Sequence, residues 1–501
     1  MLATNTSNLA QRSFAAVLWN YAGAAGRALA QIGVQVVLAR LLGPQIYGQF
    51  AIVLVVMGFG WLLTESGMGT ALVQTPKLSD EAIRQALGGV IVQGSVVGLG
   101  VMLAAPVLAN IFDDPALTGP LLVCGPLILL QALGNISGSL MRRGFDMKRF
   151  QLIQLTAYVV CFGGLAITLA RLGWGVWSLV VAFTCQTAAI LIASYAIVRH
   201  PLRPLFRMDP ELRKFGVHIL VSNMASWTID NLDRAVVGRL WGVSSLGAYT
   251  AAQNLARGPA TLLSQSVQSV TLATASRVQD DPERLRRTYC CITGGLALVM
   301  LPAFALLLAI AEPLILMLYG DRWSEAVPIF RAFAVAMPLH VLSAVAGSFL
   351  WAIGAVSKEM VSQVLVATSL LVCFALASAL SEPLAVAAWA VPFAYALRCV
   401  INFSLIVRRI GLTPGRLAGA LAGGMLLGAV GAGVWELTAL APWADASLAI
   451  AAARLMLAGL AILTVLVLSR GRLLAPDLRA VLHARLPGNT IGRLAGRVLG
   501  L

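Results

Sequence analysis

The chain carries the same pattern twice. Residues 37–50 read V-L-A-R-L-L-G-P-Q-I-Y-G-Q-F, and residues 236–249 read V-V-G-R-L-W-G-V-S-S-L-G-A-Y. The shared skeleton is V-x-x-R-L-x-G, four residues, then G-x-[F/Y]. A second pair follows in the same order. Pro106, Leu108, Ile111, Phe112 and Asp114 correspond to Pro313, Ile315, Leu318, Tyr319 and Asp321. A third pairs Gly138-Ser139 with Gly347-Ser348, and then Lys148 with Lys358. The offset only widens along the chain, as small insertions in the second copy would produce. Any fold must therefore accommodate two related halves. In a membrane protein, such halves point to a carrier with a central site between them.

That the setting is a membrane follows from composition. Apolar residues make up 59% of the chain and charged residues 11%, with a mean hydropathy of +0.85. A soluble domain carries roughly 25% charged residues. The shortfall runs the whole length, so no soluble domain is left over. A crossing helix needs about 20 residues, and about fourteen such spans can be placed. The expected fold is an all-α polytopic membrane protein. It has two six-helix lobes related by a pseudo-twofold along the membrane normal, plus two extra C-terminal helices. The expected division is 1–200 for the first lobe, 201–214 for a cytoplasmic linker and 215–410 for the second lobe. Spans 13 and 14 fill 411–470, and a basic amphipathic cytoplasmic tail fills 471–501.

The net charge of +15 raises the question of nucleic acid. Its placement answers it. With both termini in the cytoplasm, the basic residues cluster on one side, for example Arg142, Arg143, Lys148 and Arg149 after span 4. The opposite side keeps only Arg40, Arg171, Arg239 and Arg322. This is the positive-inside pattern, and it explains the charge without a nucleic-acid partner. The seven cysteines lie in or beside apolar segments with no Cys-x-x-Cys spacing, so neither a disulfide frame nor a zinc site is expected. His218 and His340 lie near span ends and read as structural.

Polar groups inside spans are the candidate functional residues. In span 7, Asn223, Trp227, Asp230 and Arg234 share one helical face, with Asp233 one position off it. In span 1, Asn20, Arg27 and Gln31 form a corresponding stripe; the repeat maps Asp230 onto Gln31 and Arg234 onto Gln35. Asn20, Gln31, Asn223 and Arg234 are therefore expected to line an aqueous cavity, and Asp230 and Asp233 are candidates for ion coupling. Arg257, Arg331 and Arg398 also sit within spans. Together with Arg27 they make the interior net cationic, which suits an anionic cargo such as a pyrophosphate group. Arg454, in span 14, reads as structural. The glycines of the repeated turn, Gly43, Gly48, Gly242 and Gly247, read as permitting tight turning and close helix approach. No catalytic or metal-ligating constellation stands out, and no cofactor is expected beyond H+ or Na+ as a coupling ion.

Two segments resemble a known family. The run L-A-R-L-L-G-P-Q-I-Y-G-Q-F-A, continuing to E-S-G-M-G-T-A-L-V-Q at 65–74, is similar to the start of the polysaccharide transporter family. So is the basic element S-L-M-R-R-G-F-D-M-K-R-F at 139–150. The resemblance is nearest to the Wzx-type oligosaccharide flippases of the colanic acid exporter-like branch. These belong to the multidrug/oligosaccharidyl-lipid/polysaccharide exporter superfamily. The resemblance covers roughly residues 10–410 and is strongest over the first half. It implies two six-helix lobes and a cationic cavity. It also implies movement of a polyprenyl-pyrophosphate-linked oligosaccharide from the cytoplasmic to the periplasmic leaflet by alternating access, coupled to an ion gradient. The bacterial inner membrane is the implied location. Lipid-linked oligosaccharide and membrane lipids are the implied partners, with a polysaccharide polymerase and glycosyltransferases as further candidates.

Three rivals are distinguishable. A multidrug exporter of the same superfamily would favour acidic cavities. A lipid II exporter fits the segments at 65–74 and 139–150 less well. A membrane polysaccharide polymerase or ligase needs a large outward loop with a His/Asp/Glu cluster, and the outward loops here are short.

Overall fold

The computed structural model describes residues 3–64, 69, 72–73, 78–206, 210–440, 448–469, 471–474 and 476–485. Side chains of 3–18, 20–21, 25, 210–226, 228–230, 262, 448–449 and 481–485 lie outside that description. The described residues form helices and connecting turns, with no strand among them. Eleven helical stretches are long and apolar enough to cross a membrane. The chain divides into two compact units, Met1–Thr250 and Ala251–Leu501.

The first unit opens on α1 (Ala3–Thr64), which bends at Gly43. There φ is 75° and ψ is 175°, a conformation essentially reserved for glycine. Pro44 follows and disfavours helix at the residue before it. Next come α2 (Asp80–Ile111), a short 3-10 turn, α3 (Thr118–Arg143) and α4 (Met147–Thr156). A π-helical stretch, Ala157–Gly164, leads into α5 (Leu165–Arg171), and α6 (Val176–Ile197) follows. The next helix, α7 (Pro210–Arg277), bends at Gly242 with φ 86° and ψ 170°. It begins in the first unit and ends in the second. Each bent helix contributes two arms, and with them the fourteen spans read from the sequence each have a helical counterpart.

The repeated turns meet within the first unit. A Cβ on Gly48 would run into the carbonyl oxygen of Val243, and one on Gly247 into that of Pro44. Val243 and Pro44 are the residues just after the two bends, so the contact is reciprocal. The loop after α2 supports it: Arg239 pairs with Asp113 at 2.6 Å, and Gln49 donates to Asp114 at 2.8 Å. The first arm of α7 also packs on α1, where Trp227 sits 5.2 Å from Phe59, ring to ring.

The second unit contains α8 (Pro282–Ala309), α9 (Ala311–Tyr319), α10 (Ala326–Ala352), α11 (Val356–Ala379), α12 (Leu384–Ala387) and α13 (Ala390–Ile410). It continues with α14 (Pro414–Ala439), α15 (Leu448–Leu468) and α16 (Pro476–Arg485). The two helices outside the repeat dock on it. Gly424 and Gly428 of α14 bring that helix against the backbone of α8 at Ala297 and Leu301. Arg454 of α15 donates to Thr438 and to the Trp435 carbonyl and lies 4.1 Å over the Trp435 ring. Its role is structural, as the sequence suggests. The tail helix α16 is tied down by Arg416, which grips Asp477 through two nitrogens at 2.9 and 3.1 Å and reaches Glu283 at 2.8 Å.

Candidate functional site

A buried ionic cluster forms in the second unit, on three packed helices. Glu359 lies in the first turn of α11 and is 1% exposed as a side chain; Arg398 of α13 is 13% exposed. The Arg398 Nη2 donates to Glu359 Oε1 at 2.6 Å, and Gln363 Nε2 donates to the same oxygen at 3.2 Å. Glu359 lies where the helix macrodipole suits an acidic side chain. Gly347 of α10 makes the room, since a Cβ there would lie 2.7 Å from Glu359 Oε1.

The cluster is incompletely satisfied. Glu359 Oε2, Arg398 Nε and Ser362 Oγ are shut off from solvent with no hydrogen-bond partner among the described residues. Nearby, His340 of α10 stacks edge-on against Tyr395 at 4.8 Å, and its Nδ1 also lacks a partner. Arg257, half-buried in the second arm of α7, lies within electrostatic reach of His340, as does Arg398.

The other candidates fall as follows. Arg331 is bound to Glu312 at 3.2 Å and is 45% exposed, which places it in a surface ion pair. Arg27 is half-buried and has no ion pair among the described residues. Gln31 is exposed and Arg234 half-buried. Asp233 is buried; its Oδ2 accepts from the Tyr249 hydroxyl at 2.9 Å and its Oδ1 from the Arg234 backbone N–H at 2.8 Å. Because Asp233 and Tyr249 flank the bend at Gly242, this bond braces it. The side chains of Asn20, Asn223 and Asp230 lie outside the described residues.

Sequence reasoning missed Glu359, since an acid beside Lys358 at a span edge reads as a loop residue. The structure supplies the signal: Glu359 packs on Gly347 as Phe150 packs on Gly138, an added Cβ lying 2.7 Å from Glu359 Oε1 in one and 3.3 Å from the Phe150 ring in the other. A charge at such a position needs a partner, and Arg398 is the apolar-span arginine that supplies it.

These features define a multi-pass helical membrane protein with the fold of known membrane carriers. The structure is similar to that of the lipid II flippase MurJ in an inward closed conformation. The TM-score is 0.71 and the identity 16%, over 88% of this chain and 98% of that one. It is also similar to an inward-facing multidrug resistance MATE family transporter of the MOP superfamily. There the TM-score is 0.55 and the identity 15%, over 78% and 94% of the two chains. The chain belongs to the polysaccharide biosynthesis protein family, whose model matches residues 37–328. Among curated relatives, it is 27% identical over 305 residues to the succinoglycan biosynthesis transport protein ExoT of Rhizobium meliloti (strain 1021). That match covers 60% of this chain and 61% of the relative. It is 21% identical over 325 residues to the lipopolysaccharide biosynthesis protein WzxC of Escherichia coli (strain K12), covering 63% and 65%. The matched part thus spans less than two thirds of each relative's length.

Proposed function

We propose that this chain is a transporter that flips polyprenyl-pyrophosphate-linked oligosaccharide from the cytoplasmic to the periplasmic leaflet of a bacterial inner membrane. The cargo would supply synthesis of a surface polysaccharide. The observation that carries this reading is the extent of the family match. Residues 37–328 include both glycine bends and both halves of the second repeated element. What is shared with the named polysaccharide exporters is therefore the duplicated scaffold rather than one helix.

The chemistry of such a cargo assigns roles. Its pyrophosphate is anionic, and guanidinium groups are suited to hold it through paired hydrogen bonds. Arg27, half-buried in the first unit, is the intramembrane group assigned to that task. Arg331 and Arg398 already face carboxylates. The Glu359–Arg398 pair is assigned to coupling, with H+ as the coupling ion. Asp233 is assigned to bracing the bend. The basic segments support cytoplasmic termini. Glycosyltransferases would build the cargo and a polymerase would consume it.

Deleting the gene tests the reading. Surface polysaccharide should be lost while lipid-linked repeat units accumulate on the cytoplasmic face, measured by mass spectrometry of extracted lipids. An unchanged pool of lipid-linked units, with polysaccharide still made, would overturn it.

A further inference from the structure

A second polar site lies wholly inside the first unit. A partly open cavity of about 250 Å3 is bordered by Trp61 of α1, Gln131 and Asn135 of α3, Gln154 of α4, and Gln186 and Ser194 of α6. Its size is just below the roughly 300–1,000 Å3 of drug-sized ligand sites, so it suits one small ring. Two groups within it are left unpaired. Gln131 Oε1 and Ser194 Oγ are shielded from solvent with no hydrogen-bond partner among the described residues, and Ser194 as a whole is 1% exposed. Buried polar atoms are rarely left this way in a folded protein unless something else meets them.

The lining selects the occupant by exclusion and by match. Among the described lining residues there is no carboxylate, and Arg142 is one of them, which disfavours a cation. Arg142 is a single guanidinium whose Nη2 is already given to Asn135 at 3.0 Å and Ser139 at 2.9 Å, and it lies over the Phe150 ring. These neutral partners hold the guanidinium in place without cancelling its charge, so it is suited to meet an oxygen-rich group. What remains is a set of amides, each offering donors and an acceptor, and hydroxyls that do the same. A sugar hydroxyl both donates and accepts, and so matches them. The rings of Trp61, Phe150 and Phe183 offer flat apolar surface to the C–H face of a pyranose.

We propose that this pocket is a saccharide subsite that holds one sugar residue. Its role in export rests on the flippase reading; its sugar chemistry does not. The test is saturation-transfer-difference NMR on the full-length chain in detergent, with glucose, galactose and N-acetylglucosamine as probes. At least one sugar should give a saturable signal with the unmodified protein. Gly134→Leu fills the void from α3, where an added Cβ meets nothing nearer than 3.7 Å and should be tolerated. Gln131→Leu removes the unpaired acceptor. Each should weaken the signal by about fivefold or more while the thermal unfolding midpoint shows the fold intact. No signal from the unmodified chain, or equal signals from folded variants, would mean a cavity holding water only and would sink the proposal. Gene deletion that leaves polysaccharide unchanged would instead remove the flippase reading and leave the NMR result standing.

Discussion

Removing the Arg398 guanidinium alone would strand a carboxylate that is 1% exposed. Breaking a buried pair from one side costs about 3–5 kcal/mol, because the other charge is left uncompensated. Replacing both partners with apolar residues of similar volume is often neutral. Arg398→Ala should therefore lower the unfolding temperature and the yield of folded protein. The pair Glu359→Leu with Arg398→Met should restore both, yet leave export insensitive to collapse of the proton gradient. A double variant that folds and still exports in gradient-dependent fashion would remove Glu359 from the coupling role. The arginine was readable from the sequence because a guanidinium in an apolar span is conspicuous. Its partner was not, since nothing local distinguishes Glu359 from a loop acid; only the packing of α11 on α13 makes it interior. Asp233 shows the converse. Its intramembrane position suggested an ion site, but Tyr249 lies sixteen residues on in sequence and reaches it only because the helix folds back at Gly242.

The bends themselves were the most readable elements. Two copies of V-x-x-R-L-x-G fix where α1 and α7 turn, and glycine is the residue that tolerates the observed φ and ψ. Gly43→Ala or Gly242→Ala should each cost about 1–3 kcal/mol from backbone strain alone. Gly48→Ala and Gly247→Ala should destabilise by about as much or more for a different reason, since each methyl would enter a neighbouring carbonyl oxygen. Thermal unfolding of the four variants checks both. Unchanged midpoints for Gly48→Ala and Gly247→Ala would mean the turns do not touch as described. The sequence could suggest close approach but not its reciprocity, because which residue each glycine faces depends on where the copies meet. The tail helix shows a similar limit. Its basic amphipathic pattern does not reveal that Arg416 and Asp477 bind it to α8 and α14.

For the molecule as a whole, duplication and hydropathy together account for the helix inventory, and α14 proved to pack on the repeat through small residues that the apolar pattern alone does not flag, with α15 held to α14 by Arg454. The boundary between the compact units falls at Thr250, inside the second arm of α7. The first arm of α7, written in the second copy, is housed with the first. A fragment ending at residue 206 should be degraded in cells, while one ending at residue 250 should accumulate in the membrane, as read by immunoblot with and without a protease-deficient background. Equal survival of the two fragments would show that this arm adds nothing.

The reciprocal clasp of the glycine turns bears on ancestry. Each turn presses on the backbone just past the other's bend, an arrangement two identical subunits would make across a dyad. A forebear of half this length could have paired with itself through the same knuckle, head beside head, before its gene was joined to a copy of itself. Fusion would then have freed the two descendants to specialise.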